Sequence, residues 1–190
     1  MEKVFSDFEI QEAALKHSGA EQFVRDDCVG TLEEAMNIKT ITKKCRGVVV
    51  KNRTRGDGTG ELKLSMHMKW PLYVASFGMK QPDLVKGVYT YGQDSVHGEF
   101  AFVGKVVDED GNVKYVAYPR LVASTGKAMH IENGAEEVAE IEVTCAILPD
   151  DFGTGVYVCM FDELEEGSEV ATKWMTDFKP ELVRVEEIEA

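Results

Sequence analysis

The stretch Gly56-Asp57-Gly58-Thr59-Gly60 holds the residue types of this chain that come nearest to chemistry. Successive backbone N–H groups between glycines form concave nests that hold phosphate. A phosphate loop, however, hands over to a Lys-Ser/Thr pair and the start of a helix. Here Glu61-Leu62-Lys63-Leu64 follows instead, so the stretch reads as a polar connection. Arg55-Gly56-Asp57 spells an adhesion tripeptide, but three residues match by chance, and an exposed turn needs glycine and polar neighbours anyway. Glu136/Glu137 and Glu165/Glu166 are paired carboxylates. They lack the apolar surroundings that raise a pKa and the spacing that holds a metal, so they read as solvated surface. His17, His67, His97 and His130 are scattered. No nucleophile elbow, metalloprotease helix or dinucleotide fingerprint occurs. The reading assigns no catalytic residue, no cofactor and no metal.

Cys28, Cys45, Cys145 and Cys159 include no C-x-x-C pair, and their neighbours are mostly apolar or strand-like. They read as buried free thiols. A Cys145–Cys159 bridge is sterically possible across a hairpin, but a cytoplasmic chain would keep it reduced. The first seven residues lack the apolar stretch and small-residue cleavage site of a signal peptide, so the expected place of synthesis and folding is the cytoplasm. No apolar run approaches the roughly 18 residues of a membrane span.

Charge is sorted along the chain. Residues 39–69 carry nine basic side chains against Asp57 and Glu61, a net of +7 in a chain whose total is −13, which leaves −20 for the remainder. A basic segment on an acidic body attracts copies of the same molecule head to tail. The acidity also argues against nucleic-acid binding by the body, because phosphate contacts need Lys and Arg.

The elements that must carry this charge are mostly strands. With 190 residues, 44% of them hydrophobic, the chain reads as one domain over 1–190 with a proper core. Leu62, Leu64, Met66, Met68 and Trp70 alternate with Lys63, Ser65, His67 and Lys69, a period of two that gives a strand one apolar and one basic face. Val48-Val49-Val50-Lys51 precedes it, and the glycines at 56, 58 and 60 lie between. Strand, Gly-rich tip, strand predicts a long projecting hairpin over about 48–64, with arms of about 30 Å. Residues 72–77 predict a short helix introduced by Pro71 and ended by Gly78. Residues 99–107 and 113–118 predict a second hairpin around Gly111. Further strands are expected within 137–148 and 155–161. Val170, Trp174 and Phe178 fall at i, i+4 and i+8 between Ser168 and Pro180, which predicts a C-terminal helix or arm over about 165–190 that needs a partner surface. The N-terminal third has a mixed period. Thr31-Leu32-Glu33-Glu34 fits a capping box and a helix through Met36, whereas Asn37 through Val50, rich in Thr, Ile and Val, favours a strand. The fold class expected is mainly β, a β-sandwich or partly open barrel, with one or two short helices.

Several of these runs resemble the major tail tube proteins of long-tailed, siphovirus-type bacteriophages. They are Lys44-Cys45-Arg46-Gly47 through Arg53-Thr54-Arg55-Gly56, the strand 62–68, Leu72-Tyr73 to Phe77-Gly78-Met79, and Val106–Tyr115 followed by Ala117-Tyr118-Pro119. Gly134–Glu137 leading into Leu148-Pro149-Asp150 is similar to that family's late strands. The resemblance spans most of 40–160 and lies in order and texture. It implies a sandwich or barrel flanked by a helix, hexameric rings stacked into a hollow tube, and a long hairpin reaching adjacent subunits. The matching positions here are about 48–64 for the hairpin, with the chain ends, about 1–8 and 172–188, as arms. The implied partners are further copies, other tail proteins and DNA passing without specific binding. The implied location is the virion tail, assembled in the host cytoplasm. Candidate assembly residues are Arg46, Lys51, Arg53, Arg55, Lys63 and His67 for charge, Gly56, Gly58 and Gly60 for the tip, and Trp174 and Phe178 on the C-terminal helix. The alternative is a non-enzymatic adhesion or recognition module that uses the Gly-rich loop as its contact.

Overall fold

Glu99–Val107 (β5) and Val113–Ala123 (β6) form the hairpin that the alternation predicts. Asp108 turns the chain between them. Its carboxylate accepts from the N–H groups of Asp110 and Asn112 at 3.0 and 2.7 Å and from the Asn112 amide at 2.6 Å. Gly111 supplies the left-handed residue at φ +84°. The computed structural model describes residues 4–185. The outermost parts of both expected arms, 1–3 and 186–190, lie outside the described residues.

Around this hairpin the chain builds one antiparallel sheet. The remaining strands are Glu9–His17 (β1), Val24–Arg25 (β2), Val29–Cys45 (β3), Val48–Met66 (β4), Ile141–Ile147 (β7) and Tyr157–Met160 (β8). The order is β2-β1-β5-β6-β7-β4-β3, with β8 pairing the first half of β6. The two outermost strands, β2 and β3, are separated in the chain only by residues 26–28. The sheet must therefore roll until its ends meet at this corner. Two aspartates stitch the seam: Asp26 Oδ2 accepts from the Lys69 N–H at 2.8 Å, and Asp27 Oδ1 from the Ala13 N–H at 3.0 Å. The fold is thus mainly β, and its sheet is single and partly open, so the barrel form of the expectation applies and the two-sheet sandwich does not.

Two cores follow from the parity of the strands. Leu62, Leu64 and Met66 of β4 point inward with Phe100 and Phe102 of β5, Tyr118 and Leu121 of β6, and Val143 and Ile147 of β7. Trp70–Ser76 (α1) closes this core with Leu72, and Phe77 follows it in. Pro71 opens the helix, and Gly78 ends it at φ +57°. A Cβ at Gly78 would lie 1.9 Å from the Val96 carbonyl oxygen, so only glycine fits. The opposite face of β5 and β6, at Val103, Tyr115 and Ala117, is covered by Glu169–Asp177 (α2). Ser168 caps α2 as predicted, accepting from the Val170 N–H at 3.2 Å.

The structure departs from expectation in several places. The capping-box stretch 31–36 is not a helix but part of β3, paired residue by residue with β4. Leu32 and Met36 are four apart, a spacing that serves one helix face and one strand face equally. The hairpin does not turn at 53–60: it turns at Arg46-Gly47, at φ +50° and +83°, the geometry of a two-residue primed turn. Cys145 and Cys159 sit in different cores, on strands that both pair with β6 and not with each other. All four cysteines are free, and Cys28 and Cys45 are exposed where burial was expected. Burial pushes the Cys145 thiol up to about 12.

Candidate assembly surface

Strands β3 and β4 are far longer than the barrel needs. Their barrel halves pair from Val29↔Met66 to Met36↔Gly60, and β4 pairs β7 only from Gly60 to Met66. Beyond that point the two strands continue alone, from Ile38↔Gly56 to Cys45↔Val48. Every residue from 37 to 57 is exposed. This is a two-stranded ribbon standing off the body, eight residues or about 26 Å long on β3. Both of its backbone edges are unpaired: β3 is the last strand in the sheet order, and β4 above Gly60 has no second neighbour. Unpaired edges of this length are templates for strand addition.

The Gly-rich stretch is the root of the ribbon, not its tip. Between Met36↔Gly60 and Ile38↔Gly56, Asn37 alone faces Asp57-Gly58-Thr59, a bulge. Asp57 Oδ1 accepts from the Thr59 N–H and hydroxyl at 3.0 and 2.7 Å, and Asn37 Nδ2 donates to Thr59 Oγ1 at 3.0 Å. Those hydrogen bonds from Thr59 hold the Asp57 carboxyl below its usual range. Gly58 adopts φ +79°, and a Cβ there would lie 2.5 Å from the Gly153 carbonyl oxygen. A Cβ at Gly155 would lie 2.2 Å from the Gly58 carbonyl oxygen. Backbone packs on backbone here, which explains Gly58 and Gly155 without any phosphate or receptor.

The register sorts charge by face. Directly opposite residues share a side of a ribbon. Lys39↔Arg55, Ile41↔Arg53 and Lys43↔Lys51 lie on one side; Ile38↔Gly56, Thr40↔Thr54 and Thr42↔Asn52 lie on the other. Within the paired block 38–43/51–56 the first side carries five cations around Ile41 and the second carries none; Lys44, beyond the register shift opposite Val49, has the parity of Thr40 and Thr42. Thr40 and Thr54 hydroxyls lie 3.3 Å apart on the neutral side. None of the five cations forms an ion pair among the described residues. Lys39/Arg55 and Lys43/Lys51 oppose like charges, which costs each pair up to about 1 kcal/mol.

The expected assembly residues fall into three groups. Lys51, Arg53 and Arg55 lie on the cationic side, and Arg46 forms the tip. Lys39 and Lys43, which complete that side, went unranked in the sequence, because only the register shows that they share it. Gly56 lies on the neutral side, and Gly58 and Gly60 form the root. Lys63 and His67 stay exposed on the body, Lys63 at 3.8 Å from Glu61. Trp174 and Phe178 are buried within the chain's own second core. Trp174 Nε1 donates to the Val116 carbonyl at 3.1 Å, and its ring stacks on Tyr115 at 5.8 Å. The partner surface that the helix needed is therefore the outside of β5 and β6, and these two residues leave the assembly surface.

No family model matches the chain, and no curated protein matches it. Among solved structures it is similar to a chain of the anti-feeding prophage cap, the tube-terminating cap, with 10% identity and a TM-score of 0.46, covering 84% of this chain and 96% of that one. It is similar also to a chain of the six-fold symmetrised anti-feeding prophage baseplate, with 9% identity and a TM-score of 0.46, covering 86% and 100%. At these values, function has to be argued from the chain's own surface.

Proposed function

We propose that this chain is a structural, self-assembling subunit of a bacteriophage tail tube, stacked in hexameric rings as a conduit for DNA. The observation that carries this reading is the ribbon over 37–57, exposed on both sides and open at both edges. An isolated two-stranded ribbon is marginal in water, so a ribbon of this length gains stability from a partner that covers it. The −20 carried outside residues 39–69 makes a second copy the matching partner. A ribbon of one copy on the body of the next is a heterologous contact, which closes into rings or runs on as a filament. The acidic residues of 136–142 and the hairpin 106–115 are assigned to the bore or rim, where negative charge lets DNA pass without adhering. Other tail proteins cap or anchor the tube, and the protein works in the virion tail after assembly in the host cytoplasm.

The adhesion alternative loses the centre of its contact loop, because Gly58 packs against Pro149 and Gly153, and Gly60 against Ala35, Met36 and Ile147. Negative-stain imaging of concentrated protein tests the proposal. Tubes or six-fold rings support it, and monomers at every concentration overturn it.

A further inference from the structure

The ribbon has two unlike sides, and self-assembly by itself does not say which one a neighbour covers. Resting on the reading above, we infer that the ribbon docks by its Lys39/Ile41/Lys43 and Lys51/Arg53/Arg55 side onto the acidic body of a second copy, and that the Thr40/Thr42/Asn52/Thr54 side is not the electrostatic contact.

Three observations support this. All five charges of the paired block 38–43/51–56 lie on that side. No acidic group of the described residues forms an ion pair with them, although the chain holds 34 acidic residues. Two cross-strand pairs oppose like charges, so an anionic partner relieves a repulsion that the free chain must carry. The apolar content selects protein over nucleic acid as that partner. Ile41 sits among the cations and is 55% exposed, and Val48 and Val49 near the tip are 66% and 49% exposed. Phosphate offers nothing to bury these against, whereas a protein surface does. The body's own acidity also repels DNA from the same molecule. Leu32 and Met36, on the barrel part of β3, pack on the core. Their parity continues to Ile38, Thr40 and Thr42, so the cationic side continues the barrel's outer surface.

Two double variants with the same change in net charge separate the sides. Lys43→Gln with Arg53→Gln removes two charges from the cationic side. Thr42→Glu with Thr54→Glu adds two negative charges to the neutral side. All four positions are exposed, and circular dichroism melts check that both variants fold. In sedimentation across a concentration series at low salt, the first should raise the concentration needed for assembly by about tenfold. The second should shift it by less than about threefold. Equal losses in both would overturn the assignment of the side while leaving self-assembly standing. A wild-type chain that stays monomeric would overturn both together. A wild-type chain that binds duplex DNA tightly at low salt, with binding lost in the first variant only, would keep the side but overturn the partner.

Discussion

Trp174 shows how one side chain ties an element to the body. It is almost fully buried, stacks on Tyr115, touches Phe178 and spends its indole N–H on a strand carbonyl. Trp174→Ala should cost about 3–5 kcal/mol, read as a drop in the urea midpoint at unchanged slope. Gly58 acts through backbone alone. Gly58→Ala puts a Cβ against the Gly153 carbonyl at a left-handed φ, so it should cost about 1–3 kcal/mol and impair assembly more than Gly47→Ala, where nothing lies within 4 Å. The cysteines divide by environment. Cys28 and Cys45 should react with a thiol reagent in the native protein, while Cys145, buried and with its thiol pushed up, should react only after unfolding. Asp108 sets a pH dependence. Desolvation pushes its carboxyl up, but the Asn112 amide and the N–H groups of Asn112, Asp110 and Gly111 outweigh this and hold it below its ordinary value. A depressed carboxylate contributes stability that is complete above the unfolded pKa of about 4 and is lost as pH falls through the lower folded value. Asp108→Asn should therefore destabilise at pH 7 and shrink the acid-induced loss, and an unchanged acid profile would contradict this account of the turn.

At the scale of elements, strongly periodic segments were legible and the ribbon's geometry was not. The 99–107 and 113–118 hairpin, the β4 alternation at 62–66, the helix after Pro71 and the helix after Ser168 all stand where local pattern put them. Their signals are short-range: alternation for strands, a capping serine, a proline at the first turn. The turn of the long hairpin lies at Arg46-Gly47 and not in the glycine-dense stretch. Two glycine roles compete in such a stretch, freedom of φ and absence of a Cβ, and here the second decided, through contact with residues 149–155 that lie about 95 positions further on. The true turn, Arg46-Gly47, puts a non-glycine residue at positive φ, which no composition rule favours. The whole ribbon makes no contact with either core. Excising 38–56 and closing the gap with Asn-Gly should therefore move the thermal midpoint by only a few degrees while abolishing assembly, measured by melting and sedimentation in parallel.

At the scale of the whole molecule, the charge pattern becomes a prediction about salt. Contacts between exposed charges weaken once the Debye length falls from about 10 Å at 0.1 M to about 3 Å at 1 M. Assembly should therefore recede between these ionic strengths while the fold persists, and assembly indifferent to salt would mean that the cationic side is not the contact. Duplex DNA mixed with the protein at low salt should stay free. What the sequence by itself determined is the existence of the parts: a mainly β chain, a basic segment on an acidic body, a strand with one apolar side, and an empty survey for catalytic motifs. These rest on composition and on periods of a few residues, which survive without knowledge of the fold. Only the tertiary structure decided where the hairpin turns, that the sheet is single and rolls to a seam, that Trp174 and Phe178 face inward, and that five cations share one side. Each of those depends on register and on contacts between distant residues, and a shift of one position in pairing would have dispersed the charges over both sides.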